Sequence, residues 1–574
     1  MAASTSASSP TLTEASAAQV TSYTAPTPGH PSEQFEVDDT YTTLQAPSTT
    51  NANTDGQPPA NEAGDELHYP QGAALYSTIA ALIIVLIITG LDITIVAVAI
   101  PSLSNQFKTI ADIGWYSTAL RLVLCSFTFM FGKMYTVFHV KSLFLACMII
   151  FAVGTAVSTF AVSSSMFIVG RAICGFGFAG VFTGVWALFT LTIPLRQRAL
   201  YGGIGGGIEA VASVSAPLLG GVLIDRFSWR ACFGLLLPFS AIAILMIFFL
   251  LPPLKAQHNV ENLKMPLKEK LKQMDLLGTA LFVPSITCLL LALQWAGTTY
   301  GWGDVRIVVL LVIFAVLLGV FGWWQYRAGE KATLPIRILG MRSILAGAWF
   351  ASCCNSTLAL VEYYMSIYFQ GVRGWTAARA GIMSLPMIMG LTISTLLSGA
   401  LTTAIGYYYP FFYGTTLLAP VAAGLLTSLD IDSSLAKLLC YQALLGFAIG
   451  LGLQGPQLAA QTVLSEQEST IGLAIVSFAS QLGPVLFISA STTLFQNRLD
   501  AEISQLAPGT NITSLEHMGL SDIRTYIGGD RLRDVLLGYD KAVTQTLYLP
   551  LALTCLTVVA TVAMERVSIK KKQS

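Results

Sequence analysis

Charged residues are scarce in this chain, at 11% of 574 residues, against about 25% in an ordinary soluble domain. Lys plus Arg and Asp plus Glu both number 31, so there is no net charge to attract polyanions. With 54% hydrophobic residues, the composition excludes a large soluble enzyme, a nucleic-acid-binding protein and a disordered scaffold. We therefore expect no nucleic-acid partner.

Paired cysteines and clustered histidines are also missing. The nine cysteines lie in apolar stretches without CxxC spacing, and the five histidines are scattered outside those stretches. We interpret the cysteines as small buried side chains and expect neither a metal site nor a cofactor. No nucleophile and base stand at a catalytic spacing, so the sequence predicts that the protein is not an enzyme.

Long apolar runs are what the chain does have, each long enough to cross a hydrocarbon core of about 30 Å. We count fourteen, and each must be helical because lipid offers no partner to unpaired backbone groups. The sequence therefore predicts an all-α polytopic membrane protein with 14 transmembrane helices. The spans are expected near residues 74–99, 114–135, 142–162, 166–193, 201–224, 230–251, 275–295, 305–326, 343–370, 376–402, 407–429, 435–460, 470–496 and 544–564.

Residues 1–72 form a separate region rich in Ser, Thr, Ala and Pro. The first 70 residues carry nine acids and no Lys or Arg. Such a segment cannot bury enough apolar surface to fold, so we expect a disordered acidic cytoplasmic tail. It lacks the basic start and short apolar core of a signal peptide, so the first span should direct insertion.

Basic residues predict the orientation in the membrane. With both termini inside, the cytoplasmic loops hold 17 Lys and Arg; the outer loops hold seven, besides five in one long extracellular loop, 498–543. Long translocated loops are weak signals, so 17 against seven favours cytoplasmic termini, with 567–574 as a basic tail. The sequon at Asn511 falls in the outer loop, where we expect glycosylation.

Three segments carry a family resemblance. Span 1 ends in LDITIVAVAIP (91–101), and span 4 opens with GRAICGFG (170–177). Span 5 has a pattern of small residues around a proline, at Gly203, Ala212, Ala216, Pro217, Gly220 and Gly221. Together these resemble the fourteen-span drug:proton antiporter branch of the major facilitator superfamily. The stretch YYMSIYFQ (363–370) resembles its filamentous-fungal members, and the resemblance covers about residues 74–572.

The resemblance implies two six-helix repeats, 73–252 and 343–566, around a central cavity. Between them, 253–342 would hold a cytoplasmic linker and two inserted helices, spans 7 and 8, which we interpret as peripheral. The family usually carries a charged GxxxDRxGRR loop between spans 2 and 3. Here Thr136 replaces the acid and most of the bases are missing, so the segment departs from the charged pattern of that family's loop.

The two halves echo each other in sequence. Gly483 and Pro484 in span 13 stand at the spacing of Ala216 and Pro217 in span 5. Because proline allows a helix to bend, we interpret these motifs as candidate hinges. The alternative for any one small residue is ordinary helix packing.

Five ionisable residues lie within the predicted spans: Asp92, Arg121, Arg171, Glu209 and Glu362. Each costs roughly 2.5–3.5 kcal/mol near a helix centre, so we expect them to face a cavity or one another. Structural ion pairs are the alternative to proton coupling. Spacing does not decide whether Asp92 or Glu209 pairs with Arg171, and Arg121 remains a competing partner.

Glu362 shares one face of span 9 with Asn355 and Ser366, beside Tyr363 and Tyr364. Burial favours the protonated form of a carboxylate, which a proton carrier requires. The tyrosine rings could stack on an organic substrate, so we expect this face to line the substrate cavity.

Span 12 carries a second polar stripe, Gln454, Gln457 and Gln461. We predict that this stripe also lines the cavity. Interhelical hydrogen bonding is its alternative explanation.

These features predict a monomeric, proton-coupled exporter of small amphipathic molecules, such as a toxin, drug or secondary metabolite, driven by the proton gradient through alternating access. One alternative is a proton-coupled uptake symporter for a siderophore or nutrient; a membrane sensor that transports nothing is less favoured. We expect the protein to be located in the plasma membrane. The terminal Lys571 and Lys572 also fit a retrieval signal, so the endoplasmic reticulum or vacuolar membrane is the alternative location.

Overall fold

The computed structural model describes residues 72–109, 112–251, 266–296, 300–329, 332–506 and 531–569. The acidic tail, Asn511 and the terminal lysines lie outside these ranges. Within them, fourteen helical segments are long and apolar enough to cross a membrane. The predicted all-α architecture with 14 spans is confirmed.

The first repeat comprises spans 1–6. They are Ala73–Phe107, Ile113–Val137, Val140–Thr159, Ser164–Thr192, Leu195–Arg226 and, for span 6, Trp229–Gly234 with Leu236–Leu250. We call the end of the bundle where span 1 begins the proximal side, and the opposite end the distal side. Odd-numbered spans therefore begin on the proximal side and even-numbered spans end there.

The second repeat comprises spans 9–14. They are Arg342–Ile367 continued by the π-helical turn Tyr368–Val372, Ala377–Ile405, Tyr409–Thr427, Leu435–Gly452 with Gly455–Val463, Glu466–Leu506, and Arg531–Thr546 with Tyr548–Ala563. Between the repeats lie the short helix Leu267–Gln273, span 7 (Leu276–Trp295), span 8 (Val305–Ala328) and the turn of helix Ile336–Leu339.

Polar residues begin five of the even-numbered spans on the distal side. The side chains of Ser163, Ser228, Asp304, Thr376 and Ser434 each accept a hydrogen bond from a backbone N–H in the first turn of the helix that follows. These caps satisfy donors that the helix itself leaves unpaired, and they define where the chain re-enters the apolar region.

The connection between spans 13 and 14 differs from the expected loop over 498–543. The helix of span 13 continues through Leu506, and another helix begins at Arg531. Glu502 Oε2 lies 3.2 Å from Lys541 Nζ, while Ile503 and Val535 are fully buried. The sequence did not predict these helical extensions because polar residues on one face lower their mean hydropathy, although their other face is packed.

Span 8 is peripheral, as expected, whereas span 7 contacts both repeats. Thr118 Oγ1 of span 2 donates a hydrogen bond to Gln294 Oε1 at 2.8 Å. Ser489 Oγ of span 13 donates to the carbonyl oxygen of Leu293 at 3.0 Å. Span 7 therefore lies against the boundary between the repeats.

Asp275, just before span 7, fixes the inserted pair to the linker. Its Oδ1 accepts hydrogen bonds from Gly278 N and Trp324 Nε1, both at 2.7 Å. Its Oδ2 accepts from Gln325 Nε2 at 2.6 Å and Thr333 N at 3.1 Å. Burial by itself raises the pKa of Asp275, but these donors stabilise the carboxylate and leave the pKa below its ordinary value.

Candidate transport site

A buried ion pair joins spans 1 and 4. Arg171 Nη1 donates to Asp92 Oδ1 at 2.6 Å, and the two side chains are 2% and 0% exposed. The guanidinium carbon also lies 5.7 Å from the centre of the Phe233 ring. The pairing that the sequence left open is therefore between Arg171 and Asp92, and neither Glu209 nor Arg121 takes part in it.

This pair is incompletely hydrogen-bonded. Among the residues that the structure describes, Asp92 Oδ2 and Arg171 Nε are buried and have no hydrogen-bond partner. An unsatisfied buried polar group costs about 1–3 kcal/mol, and more when it is charged. Asp92 thus has one oxygen in the ion pair and a second oxygen that accepts no hydrogen bond within the described residues.

Arg121 links this pair to the second repeat. It interacts electrostatically with Arg171 in span 4 and with Glu362 in span 9. Within the described ranges, neither Arg121 nor Glu362 makes a hydrogen bond or ion pair. Asp92, Arg171, Arg121 and Glu362 therefore form a series of interacting charges that begins in span 1 and crosses the boundary between the repeats. Glu362, the last of the series, is exposed.

Glu209 stands apart from these four side chains. It is half-buried in span 5, and none of the charged groups described interacts with it. The helix around it is held against span 1 by Thr94 Oγ1, which donates to the carbonyl of Ser213 at 2.8 Å. Glu209 therefore has no charged partner among the described residues, and it lies in the part of span 5 that packs against span 1.

The predicted substrate face of span 9 is only partly exposed. Tyr363 is 46% exposed beside Glu362. Asn355 is half-buried, and its Nδ2 donates to Ala351 O in the same helix at 2.8 Å. Tyr364 is fully buried, and its hydroxyl bonds Ser491 Oγ in span 13 at 3.0 Å. The expectation that Tyr364 lines the cavity is corrected, because adjacent helical residues point about 100° apart.

The glutamine stripe lies at the boundary between the repeats. A Cβ at Gly206 of span 5 would come within 2.6 Å of Gln454 Nε2. Gln457 Oε1 is buried and has no partner in the part of the chain that the structure covers. Gln461 Oε1 accepts a hydrogen bond from Arg198 Nη1 at 3.2 Å. The alternative explanation, interhelical hydrogen bonding, therefore applies to Gln461.

The two repeats meet closely on the proximal side. A Cβ at Gly399 of span 10 would lie 2.5 Å from the carbonyl oxygen of Ala199 in span 5. A Cβ at Gly203 would lie 2.8 Å from Thr395 O, and one at Gly132 of span 2 would lie 2.7 Å from Ala474 Cβ in span 13. Close packing at both boundaries means that the proximal side is closed in this conformation.

The sequence matches the family described as "Major Facilitator Superfamily" over residues 82–488. The chain belongs to the major facilitator superfamily. This superfamily member is 39% identical over 515 residues to the MFS-type efflux pump MFS1 of Arthroderma benhamiae and to that of Trichophyton rubrum, covering 89% of this chain and 95% of each relative. It is 38% identical over 486 residues to the efflux pump roqT of Penicillium rubens, covering 84% and 89% of the two chains. The protein is a membrane transporter.

Solved structures of the superfamily have the same fold. The human organic anion transporter MFSD10 aligns with a TM-score of 0.52 at 13% identity, over 84% of this chain and 99% of that one. The proton:xylose symporter XylE aligns with a TM-score of 0.56 at 12% identity, over 87% and 99%. At such identities the likeness concerns the fold alone.

The two proline motifs of this transporter pack against the first span of their own repeat. A Cβ at Gly90 of span 1 would lie 3.1 Å from Ala212 Cβ in span 5. A Cβ at Gly483 of span 13 would overlap a serine hydroxyl of span 9. Pro217 and Pro484 both lie inside helices that continue beyond them. Their role as hinges stays a prediction.

The other small residues of span 5 differ in how tightly they are packed. Ala216 is fully buried. A Cβ at Gly220 would lie 3.3 Å from Ile95 of span 1, whereas a Cβ at Gly221 would meet nothing within 4 Å. Close packing therefore explains the small residue at Gly220 and leaves Gly221 unexplained.

Proposed function

We propose that this transporter exports small amphipathic organic molecules in exchange for protons, by alternating access between its two repeats. The observation that carries the proposal is the buried Asp92–Arg171 pair with one free carboxylate oxygen. Relatives at 38–39% identity are named as efflux pumps, which supports the outward direction.

Proton binding would act on the pair as follows. A proton on Asp92 Oδ2 removes the charge that compensates Arg171, and an uncompensated buried charge costs about 3–5 kcal/mol. The protonated protein then favours a conformation in which Arg171 meets water or another anion. Arg121 interacts electrostatically with both Arg171 and Glu362. A change in the charge of Asp92 would therefore be transmitted through Arg171 and Arg121 to Glu362 in the second repeat.

The substrate would contact the second repeat near Glu362 and Tyr363. An exposed carboxylate next to a 46% exposed tyrosine ring offers polar and apolar contacts to an amphipathic molecule. We further propose that the proximal side is cytoplasmic, because the basic residues of the loops concentrate there, and that the protein acts in the plasma membrane.

The direction of coupled flux is the test of this function. A growth screen of a transport-deficient host against a panel of toxins would supply a substrate. In proteoliposomes, an antiporter moves that substrate toward the side with the higher proton concentration. Movement in the same direction as the protons would establish the uptake symporter instead, and no response to the pH gradient would exclude both.

A further inference from the structure

Arg198 lies where spans 4, 5 and 12 meet on the proximal side, and it is 5% exposed. Its Nε donates to the carbonyl of Ile193 at 2.7 Å, and its Nη2 donates to the carbonyl of Thr190 at 2.5 Å. Both carbonyls belong to the end of span 4, whose last C=O groups have no partner within the helix. A cation there is also favourably placed at the negative end of the helix dipole.

The third hydrogen bond of Arg198 crosses between the repeats. Nη1 donates to Oε1 of Gln461 at 3.2 Å, and Gln461 is 3% exposed in the last turn of span 12. Next to this bond, the backbone of Ala199 packs against Gly399 of span 10. If the proximal side opens, this contact must separate.

The division of the three bonds matters for any such opening. The two bonds to span 4 lie within the first repeat, so a rigid rotation of the repeats preserves them. Of these three bonds, the one from Nη1 to Gln461 would be broken. Arg198 is therefore held in place by its own repeat and presents a charged donor to the other repeat.

The connection between spans 2 and 3 has no acid at the position where the family's charged loop carries one. Thr136 takes that position at the end of span 2, and its hydroxyl donates to the carbonyl of Lys133 in the same helix at 2.8 Å. The polar contact from Arg198 to Gln461 thus lies at a different boundary, between spans 5 and 12.

We propose that Arg198 and Gln461 form a proximal latch that sets the equilibrium between the closed and open conformations of the proximal side. The latch rests on the alternating access of the proposed function, but it depends on neither the substrate nor the proton. Arg198 is a positioning residue, because it acts through the contact between the repeats.

The test measures closure directly, in nanodiscs without a substrate or pH gradient. Exposed Cys440 and Cys555 are replaced by Ser, and Thr470→Cys introduces a reporter thiol. Thr470 is 8% exposed and lies at the other boundary, where its carbonyl faces Gly132. The rate at which a charged, membrane-impermeant thiol reagent modifies this reporter reports opening far from the substituted latch.

Gln461→Ala should raise the labelling rate about tenfold, the ratio that corresponds to losing a hydrogen bond from a charged donor. Gln461→Glu should lower the rate, because an ionised acceptor binds Arg198 more strongly. The matched control is Arg196→Ala, which removes an exposed arginine from the same turn and should leave the rate unchanged.

Opposite effects of the two Gln461 substitutions distinguish a latch from general loosening of the fold. Arg198→Ala is less informative, because it also uncaps span 4. The proposal is overturned if Gln461→Ala labels at the unmodified rate, or if Gln461→Ala and Gln461→Glu both raise it. Loss of proton coupling in another variant would not affect this result, so the latch and the proposed function can fail separately.

Discussion

At the scale of single residues, the charges inside the membrane divide into one pair and three single groups. Asp92 and Arg171 neutralise each other in a fully buried contact, whereas Arg121, Glu209 and Glu362 make no ion pair within the described ranges. The sequence predicts which residues are unusual, because any charge in an apolar span is costly. It cannot predict the pairing, which depends on how spans 1 and 4 face each other.

The buried pair should behave differently from an exposed one when it is broken. Asp92→Asn or Arg171→Gln alone should destabilise the protein by about 3–5 kcal/mol, because each leaves a polar or charged group uncompensated. The double substitution should cost less than either one. Thermal unfolding of the purified unmodified protein, the two single variants and the double variant measures these losses of stability.

The exposed pair Arg342–Glu565, at 71% and 28% exposure, is the matched control for the charge pair. Glu565→Gln should cost about 0–1 kcal/mol. Additive effects of Asp92→Asn and Arg171→Gln would show that the two residues do not compensate each other.

Asp275 should stabilise the inserted pair in a pH-dependent manner. Its folded-state pKa is lowered, so its contribution is present above the unfolded value of about 3.9 and is lost as the pH falls through the folded value. Asp275→Asn should cost about 1.5–3 kcal/mol for each charge-assisted hydrogen bond lost at pH 7. The difference in melting temperature between the two proteins should shrink below pH 4, and a difference independent of pH would refute this account.

At the scale of helices, apolar length predicts the spans well but not their ends. All fourteen expected spans are present. They could be predicted because a helix that crosses the membrane needs a long apolar run, which is visible in the sequence. The extensions to Leu506 and from Arg531 escaped prediction because hydropathy averages over both faces of a helix. Close contacts such as Gly399 against Ala199 also escaped, since a single glycine in a span does not reveal which helix it touches.

Gly175 and Gly319 should respond oppositely to alanine. A Cβ at Gly175 in span 4 would lie 2.5 Å from the backbone oxygen of Leu120 in span 2, whereas one at Gly319 in span 8 meets nothing within 4 Å. Gly175→Ala should destabilise the fold by about 1–3 kcal/mol through overpacking. Gly319→Ala should be neutral or stabilise by up to about 1 kcal/mol, because alanine favours the helix. The melting temperatures of the two variants, each compared with that of the unmodified protein, test this prediction. Equal decreases in melting temperature would contradict the difference in packing between Gly175 and Gly319.

At the scale of the whole molecule, the transporter is closed on its proximal side, with its internal charges reaching from the first repeat to the second. The contacts at Gly132, Gly203 and Gly399 close both boundaries, and Arg121 interacts electrostatically with Glu362. The sequence resemblance predicted two repeats, and the ionisable residues within the apolar spans predicted charges that face a cavity or one another. Neither hydropathy nor motif spacing predicted the contact from Arg198 to Gln461, because its residues are separated by 263 positions.

The central claim is that Asp92 carries the coupled proton, and Asp92→Asn in proteoliposomes with an imposed pH gradient tests it most directly. Asp432→Asn, which removes an exposed acid, is the matched control. We predict that Asp92→Asn still binds substrate but no longer concentrates it in response to the pH gradient, while Asp432→Asn does so normally. Concentration of substrate by Asp92→Asn to the level of the unmodified protein would show that Asp92 is not the proton carrier.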